Sequence, residues 1–83
     1  MVKITGGNGT SFNDAIIISD CSQFEGIDHE YIVLKKRFGK YKLIKQSLLE
    51  ESGKVYDLLE IQLENGSNTE VYFEITDFFG IGF

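Results

Sequence analysis

Val55-Tyr56-Asp57-Leu58-Leu59-Glu60-Ile61-Gln62-Leu63-Glu64, then Asn65-Gly66-Ser67-Asn68, then Glu70-Val71-Tyr72-Phe73-Glu74-Ile75-Thr76, is the stretch that decides the fold. Apolar and polar residues alternate on both flanks with the period of a strand, and the four residues between them are turn formers. The two flanks therefore read as an antiparallel hairpin. Setting Leu63 opposite Val71 also sets Ile61 opposite Phe73 and Leu59 opposite Ile75. These apolar pairs share one face, which must be the core face, because a slip of one residue would turn them all toward water.

Working toward the N-terminus, residues 41–50 form another alternating run, and Ser52-Gly53 suits a two-residue hairpin loop. That loop pairs Ile44 with Ile61 and Leu48 with Asp57 on the core side. The opposite face then carries Leu43, Leu49, Tyr56, Leu58 and Tyr72, together with Lys45, Glu60 and Glu74. Such a face is too apolar to be an ordinary wet surface. A bulge that shifts the register, cover from the N-terminal strands, or another molecule would each account for it. The same register sets Glu60 opposite Glu74 with Lys45 beyond it, either a screened pair or an acidic spot for a basic partner.

Ile27, Tyr31, Leu34 and Phe38 recur at helical spacing, which predicts a helix over about 27–38. Gly26 is the expected N-cap. Asp28 and Glu30 lie in the first turn, Lys35, Lys36 and Arg37 in the last, and Gly39 at the C-terminal cap, an arrangement the helix dipole favours. A competing start lies at Ser22, whose spacing to Glu25 is that of a capping box, but it would place Gly26 inside the helix at a cost of about 1 kcal/mol. A turn over 22–25 is therefore expected. Before the helix, Val2–Thr5 and the β-branched Ala15–Ser19 read as short strands around the glycine-bearing loop 6–11. The sum is one α+β domain: a short N-terminal β-hairpin, one helix, and a three-stranded antiparallel meander over about 41–50, 55–64 and 70–76. The helix packs on one face of the sheet.

Eighty-three residues allow a single domain. The single cysteine, Cys21, permits no intrachain disulfide and fits a reducing cytoplasm. No apolar run reaches the length of a membrane span, and the N-terminus lacks the apolar centre of a signal peptide, so a soluble, unprocessed chain is expected. The net charge of −5 argues against direct nucleic-acid binding, which draws on basic side chains.

Residues for chemistry are sparse. Cys21 and His29 are the only Cys and His, so a thiol–imidazole dyad would have to be this pair. His29 falls off the apolar stripe, and Cys21 suits a buried position. One Cys and one His cannot build a structural zinc site, and no acidic calcium loop is present. The loop Gly6-Gly7-Asn8-Gly9-Thr10-Ser11 matches neither the Walker pattern nor a dinucleotide fingerprint. No catalytic residue, metal or cofactor is expected. Asp77-Phe78-Phe79-Gly80-Ile81-Gly82-Phe83 is unusually apolar; either Phe78 and Phe79 complete the core, or Phe83 leads a docking tail.

Three segments carry a resemblance: Gly9-Thr10-Ser11-Phe12-Asn13-Asp14-Ala15-Ile16-Ile17-Ile18, Glu25-Gly26-Ile27-Asp28-His29-Glu30-Tyr31, and Tyr72-Phe73-Glu74-Ile75-Thr76-Asp77-Phe78-Phe79-Gly80. Together they resemble a group of small uncharacterised bacterial proteins, some of them toxin-neutralising immunity proteins or similar inhibitors. The resemblance implies inhibition by binding and carries no catalytic motif. The expected function is therefore that of a non-enzymatic, acidic protein of the immunity or counter-defence kind, which occludes a larger protein with a basic surface. Its contact face would be Tyr56, Leu58, Glu60, Tyr72 and Glu74, extended by Asp28 and Glu30. An oligomeric nucleotide-sequestering protein using Asn8, Thr10, Ser11 and Lys35, Lys36 or Arg37 is the alternative reading. A homodimer closed by the apolar sheet face is a third.

Overall fold

A computed structural model describes residues 2–79. One helix and five strands follow in chain order: β1 (Lys3–Gly6), β2 (Ile16–Ser19), α1 (Gln23–Phe38), β3 (Tyr41–Glu51), β4 (Lys54–Leu63) and β5 (Asn68–Glu74). The strands form one mixed sheet in the order β1-β2-β5-β4-β3. The pairs β1–β2, β3–β4 and β4–β5 are antiparallel, whereas β2 and β5 run parallel through Ile16↔Phe73 and Ile17↔Glu74. A parallel pair needs a crossover, and here α1 together with the β3–β4 hairpin supplies it. The expected α+β architecture is present, with the N-terminal hairpin joined to the meander in a single sheet.

The helix starts earlier than its apolar stripe implies. Ser22 is the N-cap: its Oγ accepts from the Glu25 amide at 3.2 Å, while Glu25 Oε1 accepts from the Ser22 amide at 3.0 Å. That reciprocal box satisfies donors a bare helix end would leave orphaned, and it overrides the expected turn at 22–25. Gly26 is consequently a buried residue within the helix. A Cβ there would lie 2.5 Å from the ring of Phe78, itself only 1 % exposed. The glycine cost is thus offset by letting an aromatic ring approach the helix backbone. Phe78 completes the core as one of the two expectations had it, but Phe79, expected there with it, is 43 % exposed; the docking tail led by Phe83 lies outside the described residues.

The core gathers Ile16, Ile18, Leu34, Leu59, Ile61, Val71, Phe73, Ile75 and Phe78. Strands β4 and β5 present the faces that alternation assigns to them, but their register differs by four residues. Leu59 pairs with Val71, Asp57 with Phe73 and Ile61 with Thr69, where the sequence reading set Leu63 opposite Val71. The turn is the cause. Gly66 at φ +88° and the Asn65 side chain, accepting from the Ser67 amide at 3.0 Å, close it tightly and bring Asn68 opposite Gln62. An even-numbered shift keeps every side chain on its face. It also replaces the expected Glu60–Glu74 pair with Glu60–Glu70, while Lys45 stands across from Glu60 as expected.

The β3–β4 hairpin turns through Ser52 and Gly53, both at positive φ, and its register shifts between Leu43 and Lys45. Ile44 is the residue expelled by this bulge. Past it, Leu43 stands opposite Ile61, the partner expected for Ile44, so the bulge moves Leu43 off the outer face to which alternation assigned it.

Candidate functional site

The outer sheet face is not the open apolar surface that alternation alone suggested. The loop between β1 and β2 wraps over it. Gly9, at φ +85°, lies so close to β5 that a Cβ would stand 2.8 Å from Val71 Cγ1, and its carbonyl accepts from the Tyr72 amide at 2.8 Å. This places Phe12 between Tyr56 and Tyr72, edge-on to each, with ring centroids 4.8 and 4.9 Å away. Tyr56 is 5 % exposed, and Leu58, Glu60, Tyr72 and Glu74 are half-buried. Glu74 lies 3.8 Å from Lys54 Nζ, and Glu60 accepts from Asn68 Nδ2 at 3.3 Å. Phe12 therefore does from within the chain what an external partner was expected to do for Tyr56 and Tyr72. What remains of that face is a shallow hollow of about 500 Å³ lined by Thr10, Glu60, Asn68, Thr69 and Glu70.

The polar loop groups of the alternative reading serve internal turns. Asn8 Oδ1 accepts from the amide and hydroxyl of Thr10, and Ser11 Oγ accepts from the Asp14 amide. The structure does bring Arg37 to this loop, where Nη1 donates to the Asn8 carbonyl. That contact uses one of the five guanidinium N–H donors on a backbone carbonyl. Lys35 stands instead beside Gly39, Lys40 and Tyr41, and Lys36 is exposed.

Cys21 and His29 carry no sign of activation. Burial, with the carboxylates of Glu25, Asp77 and Asp20 nearby, pushes the Cys21 thiol above its ordinary range, opposite to what a nucleophile needs. His29 Nδ1 lies 2.9 Å from the Glu25 carbonyl in the preceding helical turn. Among the described residues no group of three His, Cys, Asp or Glu side chains could hold a metal ion, and no helix is long and apolar enough to cross a membrane.

The unusual chemistry lies on the helix side of the sheet. Gly26, Glu30 and Leu34, spaced four apart, form the line of α1 pressed onto the sheet, flanked by Ile27, Tyr31 and Phe38. Glu30 is therefore not part of an acidic surface; it is fully buried at 0 % exposure. Among the described residues no group donates a hydrogen bond to either carboxyl oxygen. Across from it on β4 is Asp57, 4 % exposed and packed beside Phe73, with both oxygens accepting from Gln46 Nε2 at 3.0 and 2.9 Å. Burial first, and then the facing Asp57, push the Glu30 carboxyl up to about 10. Glu30 thus carries its proton at neutral pH and donates it toward Asp57, so the pair holds one negative charge.

Asp57 forms the floor of a groove between α1 and β3. The groove encloses about 360 Å³ and is walled by Gln23, Ile27, Gln46, Leu48, Ile75, Phe78 and Phe79. Leu48 and Phe79 are 58 % and 43 % exposed at its rim. An apolar channel ending on a buried carboxyl pair suits a ligand with an aliphatic stem and a cationic head. The signal was present in the sequence, since Glu30 stands three residues after Ile27 and four before Leu34, inside the apolar stripe. No family model, curated protein or solved structure matches the chain.

Proposed function

We propose that this chain is a non-enzymatic binding protein that engages a larger, basic protein by receiving one of its Lys or Arg side chains in the α1–β3 groove. The stem lies along Ile27, Leu48 and Phe79, and the charged head meets Asp57. The observation that carries this reading is the buried carboxyl pair, Asp57 lining the open groove and Glu30 facing it with no donor among the described residues. The pair holds one buried negative charge, met by the neutral Gln46 amide, and an incoming cation supplies the opposite charge. The net charge of −5 favours the same class of partner. The resemblance to immunity-type proteins supports an inhibitory role, exercised in the cytoplasm by covering the partner's working surface.

The test uses Nα-acetyl-L-argininamide as probe, with amide shifts of the intact protein followed by NMR. A single side chain should bind in the millimolar range, weak because it lacks the rest of a protein interface. Shifts should concentrate at Gln46, Leu48, Asp57 and Glu30. Binding should tighten as pH rises from 7 to 9, because the incoming cation displaces the Glu30 proton. Asp57→Asn should weaken it about tenfold or more, the loss of a charge-assisted contact. Equal binding by that variant, or shifts centred on Glu60 and Glu70, refutes the reading.

A further inference from the structure

We infer that β3 is the pairing edge of a symmetric dimer, in which residues 45–51 of one chain run antiparallel to the same residues of a second copy about a two-fold axis through Leu48.

The sheet order leaves β3 at an edge, with a row of backbone groups that no other described strand pairs. Most of the strand is exposed, and Leu43, Ile44 and Leu48 are among the large apolar side chains left in solvent. The helix does not cover this part of the sheet, since the groove opens between α1 and β3.

The register follows from symmetry, the bulge and charge. A two-fold normal to the sheet returns each side chain to its own face, so a residue must lie on the axis. The bulge between Leu43 and Lys45 interrupts regular pairing there and confines the ladder to residues 45–51. Centring on Leu48 sets Lys45 opposite Glu51 twice, Gln46 opposite Glu50 twice, Ser47 opposite Leu49, and Leu48 opposite itself. Centring on Ser47 sets Lys45 against Leu49. Centring on Leu49 sets Leu48 against Glu50. Centring on Gln46 runs the ladder through both bulges. Only the Leu48 register joins opposite charges within the regular segment, and it removes the most exposed rim leucine from water. Both helices then lie on the same side of one continuous sheet, with the two β3 strands flooring the cleft between them.

Sedimentation and light scattering on the intact protein at submillimolar concentration should give twice the chain mass, reduced by added salt because the paired charges sit at the rim. Lys45→Glu and Glu51→Lys should each return the protein to one chain mass, because each sets like charges opposite. The double variant restores both pairs with reversed sign and should recover the doubled mass. Far-UV circular dichroism of each variant separates loss of pairing from loss of fold; if a single reversal unfolds, Lys45→Gln and Glu51→Gln replace it and should weaken the dimer. A wild-type protein of single mass, or a dimer indifferent to these changes, overturns the inference. Because Gln46 and Leu48 also line the groove, the cation titration is run on the Lys45→Glu chain as well as on the wild type, which separates failure of the dimer from failure of the groove.

Discussion

Glu30→Gln should make the protein more stable at neutral pH, and the gain should grow with pH. In the folded chain Glu30 keeps its proton up to about 10, whereas an unfolded chain releases it near the ordinary 4.5. Unfolding above pH 4.5 therefore sheds a proton. The stability conferred by the protonated pair is complete below pH 4.5, declines through the neutral range, and is gone above about 10. Each pH unit inside that window costs about 1.4 kcal/mol. From 4.5 to 7 the loss is about 3 kcal/mol, a large share of the roughly 4–12 kcal/mol expected for a domain of this length. Glutamine stays neutral, keeps the shape and donates to Asp57 through its amide. Allowing about 1 kcal/mol for a less well placed hydrogen bond, the variant should gain about 2–3 kcal/mol at pH 7. Tyr31 and Tyr41, the other shifted groups nearby, are held above their ordinary 10 by burial and leave this window clear. Urea unfolding of both proteins from pH 5 to 9 reads the difference directly. Curves that run parallel across that range, with no growing gap, would refute a protonated Glu30.

Gly26→Ala gains about 1 kcal/mol of helix propensity but drives a methyl into the Phe78 ring, and overpacking of this kind costs about 1–3 kcal/mol. A net loss near 1 kcal/mol is expected by denaturant titration, turning into a gain when Phe78→Leu makes room; a stabilising Gly26→Ala in the wild-type background contradicts the contact. Phe12→Ala removes two edge-on ring contacts, each worth about 0.5–1.5 kcal/mol, and uncovers Tyr56 and Tyr72. A loss of about 2–4 kcal/mol with increased tyrosine accessibility to solvent is the expected result. An unchanged unfolding midpoint would show that the loop does not clamp the sheet.

Strand alternation made the meander legible because period-two patterning survives any even shift of register. Leu59, Ile61, Val71 and Phe73 point inward in either alignment, so the faces were readable even though turn chemistry at Asn65–Gly66 moved the pairing by four residues. The helix boundary was misjudged for a related reason. Gly26 carries a helix penalty in isolation, and only the distant Phe78 makes it the right residue there. Phe12 lies in a loop with no periodicity of its own, so nothing local showed that it would cover Tyr56 and Tyr72. Asp57 was assignable to the core side by alternation. Glu30 stood in the apolar stripe, but its charge suggested a surface position, and the pair is visible only once helix and strand are packed together.

Among the described residues, the last strand in sequence is the middle strand in space. The hairpins β1–β2 and β3–β4 bring together neighbouring segments and can each form early, but neither touches the other until β5 inserts between them. Assembly is consequently gated by one long-range event, the docking of β5, itself in a hairpin with β4, against β2. Destabilising β5 should lower the folding rate more than weakening either hairpin by the same amount. Until that insertion, the flanks that later receive β5 are open, and this interval is when the chain is most exposed to association with the wrong neighbour.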